Sequence, residues 1–516
     1  MKKSLLPLIS LVALGGFGTS AAFGGVGLVR SDGVLGSNLQ YDLTGDPGEL
    51  FVLLPSTSTG PTPLAIIDPT DARSLDVGID LLSVVTIGSL GALGQTSVAY
   101  PLPLDPALSG VPIFAQLMTI PGPTTLIDEI SSLNSVTLGM HGESFLSIGN
   151  LPVATAGYGS ALLPDGRVLL GGGGVDDGLG NTIPTSTLRA FDPQTQGFQS
   201  LTATLTYSTS VPAAVALADG RIFFCGGVGV NSAVLNGASI YDPATGTTSA
   251  AANMPGPRSQ HTATLLADGR VFITGGVKAI NSADPIAGLS DILKTSSIYN
   301  PATNSWSSAA SLSLPRVGHN ATLLSSGRVL ISGGLEIGSF FGVPIPAIVN
   351  SCKRYNPSNN SMMSTASFSG NRALHSQLLL SDGRVLVAGG ADGDVLTQNF
   401  HSLNTCRVYT ESSNTWGNVP NLPEVRTFPN LVETGGKVHV LSGVGTIDLT
   451  TLSGAPVTNI VSGDLATFNW ASVGTMVFPR PLSNSIAIEA GTRIVTLGPG
   501  DNGLGTDDLT AEVYIP

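Results

Sequence analysis

Short apolar runs separated by polar turns fill residues 143–516, and one arrangement of them recurs seven times. Each copy has a turn, a basic residue, an apolar run and then small residues, and successive basic residues stand 49 to 58 positions apart. The seven basic residues are Arg167, Arg221, Arg270, Arg328, Arg384, Lys437 and Arg493. A period near 50 residues with strand-like patterning is typical of propeller repeats. The pattern therefore predicts repeated small sheets.

Each repeat predicts four strands. The first is apolar, as in residues 261–266, and an Asp-Gly pair then supplies the positive φ angles of a tight hairpin turn. The second strand, such as 271–274, ends in paired glycines that allow close backbone packing. The third ends in an aromatic residue such as Tyr299, followed in most copies by Asp-Pro or Asn-Pro, which favours a type I turn. The fourth opens near a bulky residue such as Trp306.

The end of the chain predicts how the repeats close. Residues 511–516 match a third strand, so the seventh copy lacks its fourth. Residues 145–151, ahead of the first copy, match a fourth strand. Pairing the two would cover an edge that otherwise invites aggregation. We therefore expect seven blades over residues 141–516, closed by an N-terminal strand at 143–151.

The combination of Gly-Gly, Tyr-Asp-Pro and Trp positions resembles the kelch repeat, the β-propeller family that includes the middle domain of galactose oxidase. The resemblance covers about residues 143–516. It implies four-stranded blades arranged radially about a central channel. The expected fold is all-β, a seven-bladed kelch propeller preceded by a small β-sandwich.

Residues 1–140 carry none of the repeat signals. Residues 1–22 have a charged start, an apolar core and a small-residue end, which predicts a secretory signal peptide and a secreted or cell-envelope protein. Residues 23–140 alternate short apolar runs with Pro, Gly and Thr, which predicts an acidic β-sandwich-like domain. Residues 100–116 resemble a stretch found in secreted proteins of environmental bacteria.

Composition limits the partners. The net charge is −13 with only six Lys, which argues against nucleic acid or anionic membranes. No later apolar run reaches the ~20 residues of a transmembrane helix. We expect a monomer. Cys225, Cys352 and Cys406 stand at core positions and are expected to be buried free thiols.

Five arginines each precede a first strand, on the connections from a fourth strand to the next first strand. They are Arg258, Arg316, Arg372, Arg426 and Arg480. These are the candidate ligand-binding residues, because guanidinium groups near the channel mouth suit a carboxylate, sulfate or uronic acid. The alternative is architectural, each arginine tying adjacent blades together, and repetition in five blades favours it.

Metal sites are not expected. His261, His319 and His375 repeat in register, and equivalent atoms on successive blades rarely approach to the ~2.0–2.1 Å of a metal bond, so structural roles are predicted. Two acidic loops, 176–181 and 501–508, contain clustered carboxylates of the kind that calcium prefers, but neither has a full calcium-loop spacing. Solvated turns are the favoured interpretation, with calcium left open.

The resemblance allows the galactose-oxidase chemistry to be tested. That family holds copper with two Tyr and two His, one Tyr being linked to Cys and another adjacent to His. This chain has no Tyr-His pair, so no cofactor and no catalytic residue are assigned. Kelch sugar mutarotases use Arg and Glu, and Glu336 and Glu424 keep an enzyme open. The leading prediction is non-catalytic binding of a glycan or protein; the alternative is a mutarotase or a diverged oxidase.

Overall fold

The computed structural model describes residues 26–66, 69–120, 127–153, 155–176, 182–280, 291–340, 343–397, 399–448, 453–480, 483–498, 500–501 and 507–516. The predicted signal peptide lies outside the described residues. Within those residues the chain forms two compact units. The first contains 26–31, 38–101 and 112–135, and the second contains 32–37, 102–111 and 136–516. No helix in the described part of the chain is long and apolar enough to cross a membrane.

The first unit is a β domain, as expected; its sandwich packing stays a prediction. Its strands, up to the boundary strand β9, are β1 (Gly27–Arg30), β2 (Asn38–Thr44), β3 (Leu50–Ser56), β4 (Thr59–Pro63), β5 (Ser74–Val77), β6 (Thr86–Ser89), β7 (Gln95–Pro101), β8 (Pro112–Ile120) and β9 (Asn134–Thr137). Strand β2 pairs with β1 and β7, and β3 pairs with β6 and β8. Short 3₁₀ turns lie at Leu64–Ile66 and Leu82–Val84. Leu54, Phe114 and Met118 belong to its apolar core.

The second unit begins with a 3₁₀ turn at Pro106–Leu108 and is otherwise almost entirely strand. Its first strands are β10 (Ser144–Asn150), β11 (Gly159–Leu162), β12 (Val168–Gly171), β13 (Gly174–Asp176), β14 (Thr182–Asp192), β15 (Gly197–Thr209), β16 (Ala213–Ala216), β17 (Ile222–Cys225), β18 (Ala238–Asp242), β19 (Thr247–Ala250), β20 (Thr262–Leu265), β21 (Val271–Thr274), β22 (Ser296–Asn300), β23 (Ser305–Ala309) and β24 (Arg316–Val317). A 3₁₀ turn at Val230–Ser232 separates β17 from β18.

The strands continue to the C-terminus in the same style. They are β25 (Asn320–Leu323), β26 (Val329–Ser332), β27 (Leu335–Phe340), β28 (Val343–Ile348), β29 (Cys352–Asn356), β30 (Ser361–Thr365), β31 (Ser376–Leu379), β32 (Val385–Ala388), β33 (Ala391–Asp394), β34 (Asn399–Ser402), β35 (Cys406–Thr410), β36 (Thr415–Val419), β37 (Asn430–Thr434), β38 (Lys437–Leu441), β39 (Val444–Asp448), β40 (Ser453–Pro456), β41 (Asn459–Asp464), β42 (Ala471–Thr475), β43 (Asn484–Ile488), β44 (Arg493–Leu497), β45 (Gly500–Asp501), β46 (Asp507–Asp508) and β47 (Thr510–Tyr514). One more 3₁₀ turn lies at Glu489–Gly491.

Seven antiparallel sheets follow one another along this unit, each with four strands in the repeat's order. Sheet 1 contains β11, β12, β14 and β15; sheet 2 contains β16 to β19; sheet 3 contains β20 to β23. Sheet 4 contains β25, β26, β29 and β30; sheet 5 contains β31, β32, β35 and β36; sheet 6 contains β37, β38, β41 and β42. Sheet 7 contains β43, β44 and β47, and its fourth strand is β10, with Ser144 opposite Tyr514.

Apolar packing joins each sheet to the next. The second strand of each sheet is almost fully buried, because sheets cover it on both faces, which explains its unbroken apolar sequence. Sheets 1 and 2, for example, meet through Leu188 and Phe224. Sheets 7 and 1 meet through Val513 and Phe191, so the series returns to its start. The all-β class and the propeller are therefore confirmed; seven blades stays an inference from the described sheets.

The aromatic positions of the repeat close these junctions with hydrogen bonds. Trp306 donates its indole N–H to the carbonyl of Ala252 in the preceding sheet at 2.7 Å. The Tyr299 hydroxyl donates to Asn304 at 2.8 Å in its own third-to-fourth-strand turn. Buried Tyr and Trp groups require such partners. The aromatic residues that mark the repeat therefore have a structural role.

Strand order places two different surfaces at opposite ends of the sheets. The turns joining strands one to two and three to four lie at one end, called here the turn end. The longer segments joining strands two to three, and each fourth strand to the next sheet, lie at the other, called the hairpin end. At the hairpin end the structure contains ribbons where the sequence indicated loops: β13 with β14, β27 with β28, β33 with β34, β39 with β40, and β45 with β46.

Candidate functional site

The paired glycines shape the backbone at the hairpin end. Gly275 and Gly276 have φ angles of 64° and 86°, which glycine adopts without strain. A Cβ on Gly276 would lie 2.4 Å from the carbonyl oxygen of Ser259, closer than van der Waals contact permits. The glycines therefore let the segment after the second strand run directly against the connection that carries Arg258.

Arg258 uses this close approach. It is 5% exposed and donates from Nη1 to the carbonyls of Gly275 at 2.5 Å and Thr295 at 3.0 Å. Its Nη2 donates to the Thr295 hydroxyl at 2.8 Å. Burial lowers the pKa of this guanidinium to about 10. The arginine thus joins the connection before sheet 3 to the start and end of that sheet's hairpin segment.

The other four candidate arginines lie equivalently and are fully buried. Arg372 donates to the carbonyls of Gly389 and Thr405 at 3.0 and 2.9 Å. Arg480 donates to those of Gly498 and Thr510 at 2.6 and 2.7 Å. Because each guanidinium donates to carbonyls at equivalent positions, few of its N–H groups are left to bind a ligand. The geometry favours the architectural alternative over ligand binding for the set.

Acidic side chains accompany three of these arginines. Glu336 on β27 accepts from Arg316 and from the Ser351 hydroxyl. Glu424 accepts from Arg426 at 2.6 Å and from the Asn459 amide at 3.1 Å. Glu512 lies 3.4 Å from Arg480 and also accepts a backbone N–H from Val477 at 2.5 Å. The two glutamates considered for sugar chemistry are therefore already bonded to arginine.

The three repeated histidines are enclosed between sheets. His319 Nε2 lies 3.1 Å from the Thr262 hydroxyl, and His375 Nε2 lies 3.0 Å from the Ser332 hydroxyl. Burial, with the charge of nearby Arg258 or Arg316, lowers the pKa of His261 and His319 to about 3. His261 and His319 are therefore neutral near pH 7. Each of the three histidines contacts one hydroxyl or thiol group, which supports structural roles.

The three thiols are buried and unbridged, as expected. Burial raises the pKa of Cys225, Cys352 and Cys406 to about 12, so the reactive thiolate is absent near neutral pH. The two acidic loops considered for calcium fall largely outside the described residues, at 177–181 and 502–506. Their calcium binding stays untested.

The described residues do not fit the copper site that galactose-oxidase resemblance would imply. No three His, Cys, Asp or Glu side chains within them lie together as a metal would require. Tyr241, Tyr299, Tyr355 and Tyr409 end successive third strands inside the junctions between sheets. Each histidine of the repeated set belongs to a different sheet. No step of a reaction is therefore assigned to copper here.

The exposed apolar side chains at the hairpin end are the feature that sequence reasoning largely missed. Five lie on the segments joining strands two to three, and four on connections between sheets. They are Ile183, Val230, Ile280, Ile345 and Leu396, with Val153, Val211, Leu314 and Val477. Ile345 lies in the apolar stretch 343–348, whereas the others lie in shorter stretches that carry no repeat signal.

Neighbouring ribbons form part of this end of the sheets. Strand β28 contacts β33, and β34 contacts β39, so the ribbons of sheets 4, 5 and 6 lie side by side. Ile337 of β27 packs with Ile292 from the segment of sheet 3. We call the nine exposed residues, with the ribbons at this end, the hairpin face. Ile183 and Ile345 lie on ribbon strands and Leu396 lies in a ribbon turn, whereas the other six lie on 3₁₀ turns, bends or loops.

Comparison with known proteins supports the fold and leaves the family open. No protein-family model matches the chain, and no curated protein sequence matches it. A fungal alcohol oxidase of the AA5 family, solved in complex with copper, is similar with a TM-score of 0.56 and 16% identity, over 72% of this chain and 76% of that chain. YjhT is similar with a TM-score of 0.46 and 16% identity, over 62% of this chain and 98% of that chain. At such identity the likeness to the oxidase shows a shared fold, and the second likeness is too low to carry an argument.

Proposed function

We propose that this chain is a non-catalytic binding protein that acts outside the cell and holds a protein partner on its hairpin face. The observation that carries the proposal is the uneven distribution of apolar side chains. Of the exposed large apolar residues in the described part of the second unit, nine lie at the hairpin end. The four that lie elsewhere are Leu104, Ile148, Leu162 and Met363. A concentration of exposed apolar side chains at one end of the sheets favours an interaction surface there.

The turn end has the opposite character. Its Asp-Gly-Arg turns are closed by ion pairs between the aspartate and the arginine, as in Asp219 with Arg221 and Asp268 with Arg270, at 2.7 and 2.6 Å. Such exposed charged turns keep a surface hydrated and contribute little to stability. The contrast between the ends directs an apolar partner to the hairpin face.

A protein fits this face better than a glycan. The described exposed apolar residues there are Ile, Val and Leu, whereas Trp306, Trp416 and Trp470 donate their indole N–H groups to the backbone of preceding sheets. Sugar rings are usually held by stacking on exposed aromatic rings. Aliphatic side chains on a ribbon instead suit the side chains of a protein partner.

A sugar mutarotase is the second candidate, favoured by one observation. Arg426 and Glu424 form an ion pair in which the glutamate is 37% exposed, so an Arg-Glu pair reaches the surface at the hairpin end. The likeness to an alcohol oxidase makes an oxidase a further enzyme candidate. Incubating the purified chain with sialic acid, galactose and primary alcohols, with and without copper, would detect either activity.

The binding proposal is tested by comparative capture. The chain without residues 1–22 is immobilised beside a variant carrying Val230→Ser, Ile345→Ser and Leu396→Ser, and both are exposed to an extract of the source cells. A control carries Leu162→Ser and Met363→Ser, equally exposed residues away from the hairpin face. We expect one partner retained by the wild type and control and lost by the hairpin variant. Equal retention by all three, or binding only to glycans, would contradict the proposal.

A further inference from the structure

The turn end of sheets 4 and 5 departs from the repeat at three positions that meet in one cleft. The residues are Ser326, Arg354 and Glu411, and Arg328 lies beside them. The cavity they line is about 730 Å³ and open to solvent. A binding site on a repeated scaffold is expected where the repetition is broken. We call this cavity the cationic cleft.

The first departure removes a partner from Arg328. In four other repeats an aspartate two residues before the arginine binds it, as Asp268 binds Arg270 at 2.6 Å. Ser326 stands at that position in sheet 4 and donates its hydroxyl to Glu411 instead, at 2.6 Å. The side chain of Arg328 is 44% exposed and lies 3.7 Å from Glu411. Its guanidinium has lost the paired hydrogen bonds of the repeat.

The second departure places a charge where the repeat has a core residue. Arg354 precedes the aromatic residue of a third strand, where other sheets have Ile240, Ile298 and Val408, all buried between sheets. Its side chain is 19% exposed, and Nη1 lies 4.0 Å from Glu411. Within the described residues, neither Arg354 nor Arg328 makes a side-chain hydrogen bond.

The third departure supplies one carboxylate for two guanidinium groups. Glu411 replaces the proline that follows the third strand in sheets 1 to 4, as at Pro357. The neighbouring Asp382 and Arg384 neutralise each other at 2.6 Å. The cleft therefore carries one positive charge in excess, on a chain whose net charge is −13. Two arginines with donors that no protein group uses, together with a surplus positive charge, favour an anion in the cleft.

We propose that the cationic cleft binds an oxyanion group, a carboxylate, sulfate or phosphate, held between Arg328 and Arg354. Each guanidinium presents donors in a planar fork that matches two oxygens of such a group. Ser412 also lines the cleft, and its hydroxyl offers an additional donor. A cleft of this volume suits a ligand of the size of one or two sugar units. This site is independent of the hairpin face, because it lies at the opposite end of the sheets.

Titration of the purified chain with sulfate, inorganic phosphate and glucuronate, followed by calorimetry, tests the site and distinguishes the three sources. Sodium chloride at matched ionic strength controls for screening. We expect saturable binding of at least one oxyanion and none with chloride. Equal responses to chloride and to all three oxyanions would overturn the proposal.

Three variants locate the binding, and two restore the repeat so that folding is retained. Arg354→Ile installs the residue found at Ile240 and Ile298, and Ser326→Asp returns the missing partner of Arg328. Each is expected to weaken oxyanion binding about tenfold or more. Arg354→Ile removes charge-assisted hydrogen bonds to the ligand, and in Ser326→Asp the new aspartate occupies the donors of Arg328. Arg270→Gln, at the matching turn of sheet 3, is the control and should bind like the wild type.

Glu411→Gln separates a ligand site from a structural ion pair. Removing the competing carboxylate should strengthen oxyanion binding severalfold if the arginines serve a ligand. If they instead serve only to hold Glu411, the variant should melt at a lower temperature and gain no affinity. That result, or wild-type affinity in Arg354→Ile, would overturn the proposal.

Discussion

A charged residue can repeat in register without forming a binding site, and the five inter-sheet arginines show how. In each of them at least one guanidinium nitrogen donates to backbone carbonyls of the next sheet, as in Arg316 with Gly333 and Ser351, both at 2.9 Å. The carbonyl of Gly333, just past the second strand, takes its donor from this guanidinium and would be costly to bury unpaired. The carbonyl of Ser351 also accepts the backbone N–H of Gly333 at 3.2 Å, so the guanidinium reinforces that contact.

Replacing Arg372 by Met tests this architectural role. The carbonyl of Gly389 would lose its donor, and a buried unpaired group costs ~1–3 kcal/mol, whereas the carbonyl of Thr405 keeps the N–H of Gly389 at 3.2 Å. We expect a loss of ~1–3 kcal/mol in the free energy of unfolding, measured by urea denaturation. Arg221→Met at an exposed turn is the control, with an expected change within ~0.5 kcal/mol. If the Arg372→Met protein were as stable as the wild type but no longer bound its partner, these arginines would be ligand-binding residues.

The buried histidines predict a dependence of stability on pH. His319 has a pKa lowered from 6.5 to about 3 by burial and by Arg316, so it stays neutral in the folded state. Below pH 6.5 this histidine is protonated in the unfolded chain but stays neutral in the folded chain. The free energy of unfolding therefore falls as the pH falls from about 6.5 toward 3, by up to ~1.4 kcal/mol per pH unit for each such histidine.

Urea denaturation at pH 7 and pH 5 measures this effect. His319→Gln should lose ~2 kcal/mol less than the wild type over the interval, because one titrating group is removed. Ser249→Ala, at an exposed position of β19 and without loss of a titratable group, should keep the wild-type difference. An unchanged pH dependence in His319→Gln would show that the imidazole is protonated equally in the folded and unfolded states.

Sequence alone indicates residue types at these positions but not their partners. The register of Arg258 with Arg316 is visible in the chain, whereas the acceptors Gly275 and Thr295 become apparent only once strand order is known. The Asp-Gly-Arg pairing is local, with acid and base two residues apart, and so was within reach of sequence reasoning. Arg354 could have been noticed as a charge at a core position of the repeat.

At the scale of elements, sheet 7 depends on a strand from far along the chain. Strand β10 pairs with β47, with Phe145 opposite Val513 and Leu146 opposite Glu512. The Ser147 hydroxyl accepts the backbone N–H of Ala511 at 2.8 Å and donates to the Gly149 carbonyl at 2.7 Å. One side chain thus bridges an irregularity in this pairing.

Two serines of β10 give a matched test of that bridge. Ser147→Ala leaves the buried N–H of Ala511 without an acceptor and should cost ~1–3 kcal/mol of unfolding free energy. Ser144→Ala should be neutral within ~0.5 kcal/mol, because the Ser144 hydroxyl has no partner in the described structure. Equal effects in chemical denaturation would mean that the Ser147 bridge contributes nothing to stability.

The four-strand repeat was predictable because its signals are short-range. Asp-Gly turns, Gly-Gly pairs and strand-ending aromatics each fix a conformation within a few residues. The ribbons β27–β28 and β33–β34 were not predicted, because their sequences vary between repeats and include proline, as at Pro344 and Pro346. Those prolines are tolerated where a ribbon strand has an open edge.

At the scale of the whole chain, the second unit separates polar and apolar exposure between the two ends of its sheets. Ion-paired turns such as Asp165 with Arg167 occupy one end, and aliphatic side chains such as Val230 and Leu396 occupy the other. The arginines, histidines and thiols considered for chemistry are buried or already bonded. We therefore expect the partner to bind on the hairpin face.

Site-specific photo-crosslinking tests this claim most directly. A photoreactive phenylalanine analogue replaces Ile345, which is 44% exposed on the hairpin face, or Met363, which is 59% exposed on the outer strand of the same sheet. Both proteins are irradiated in an extract of the source cells, and adducts are identified by mass spectrometry. We expect one defined protein adduct from position 345 and none from position 363. Equal adducts from both positions, or adducts only from 363, would contradict this claim.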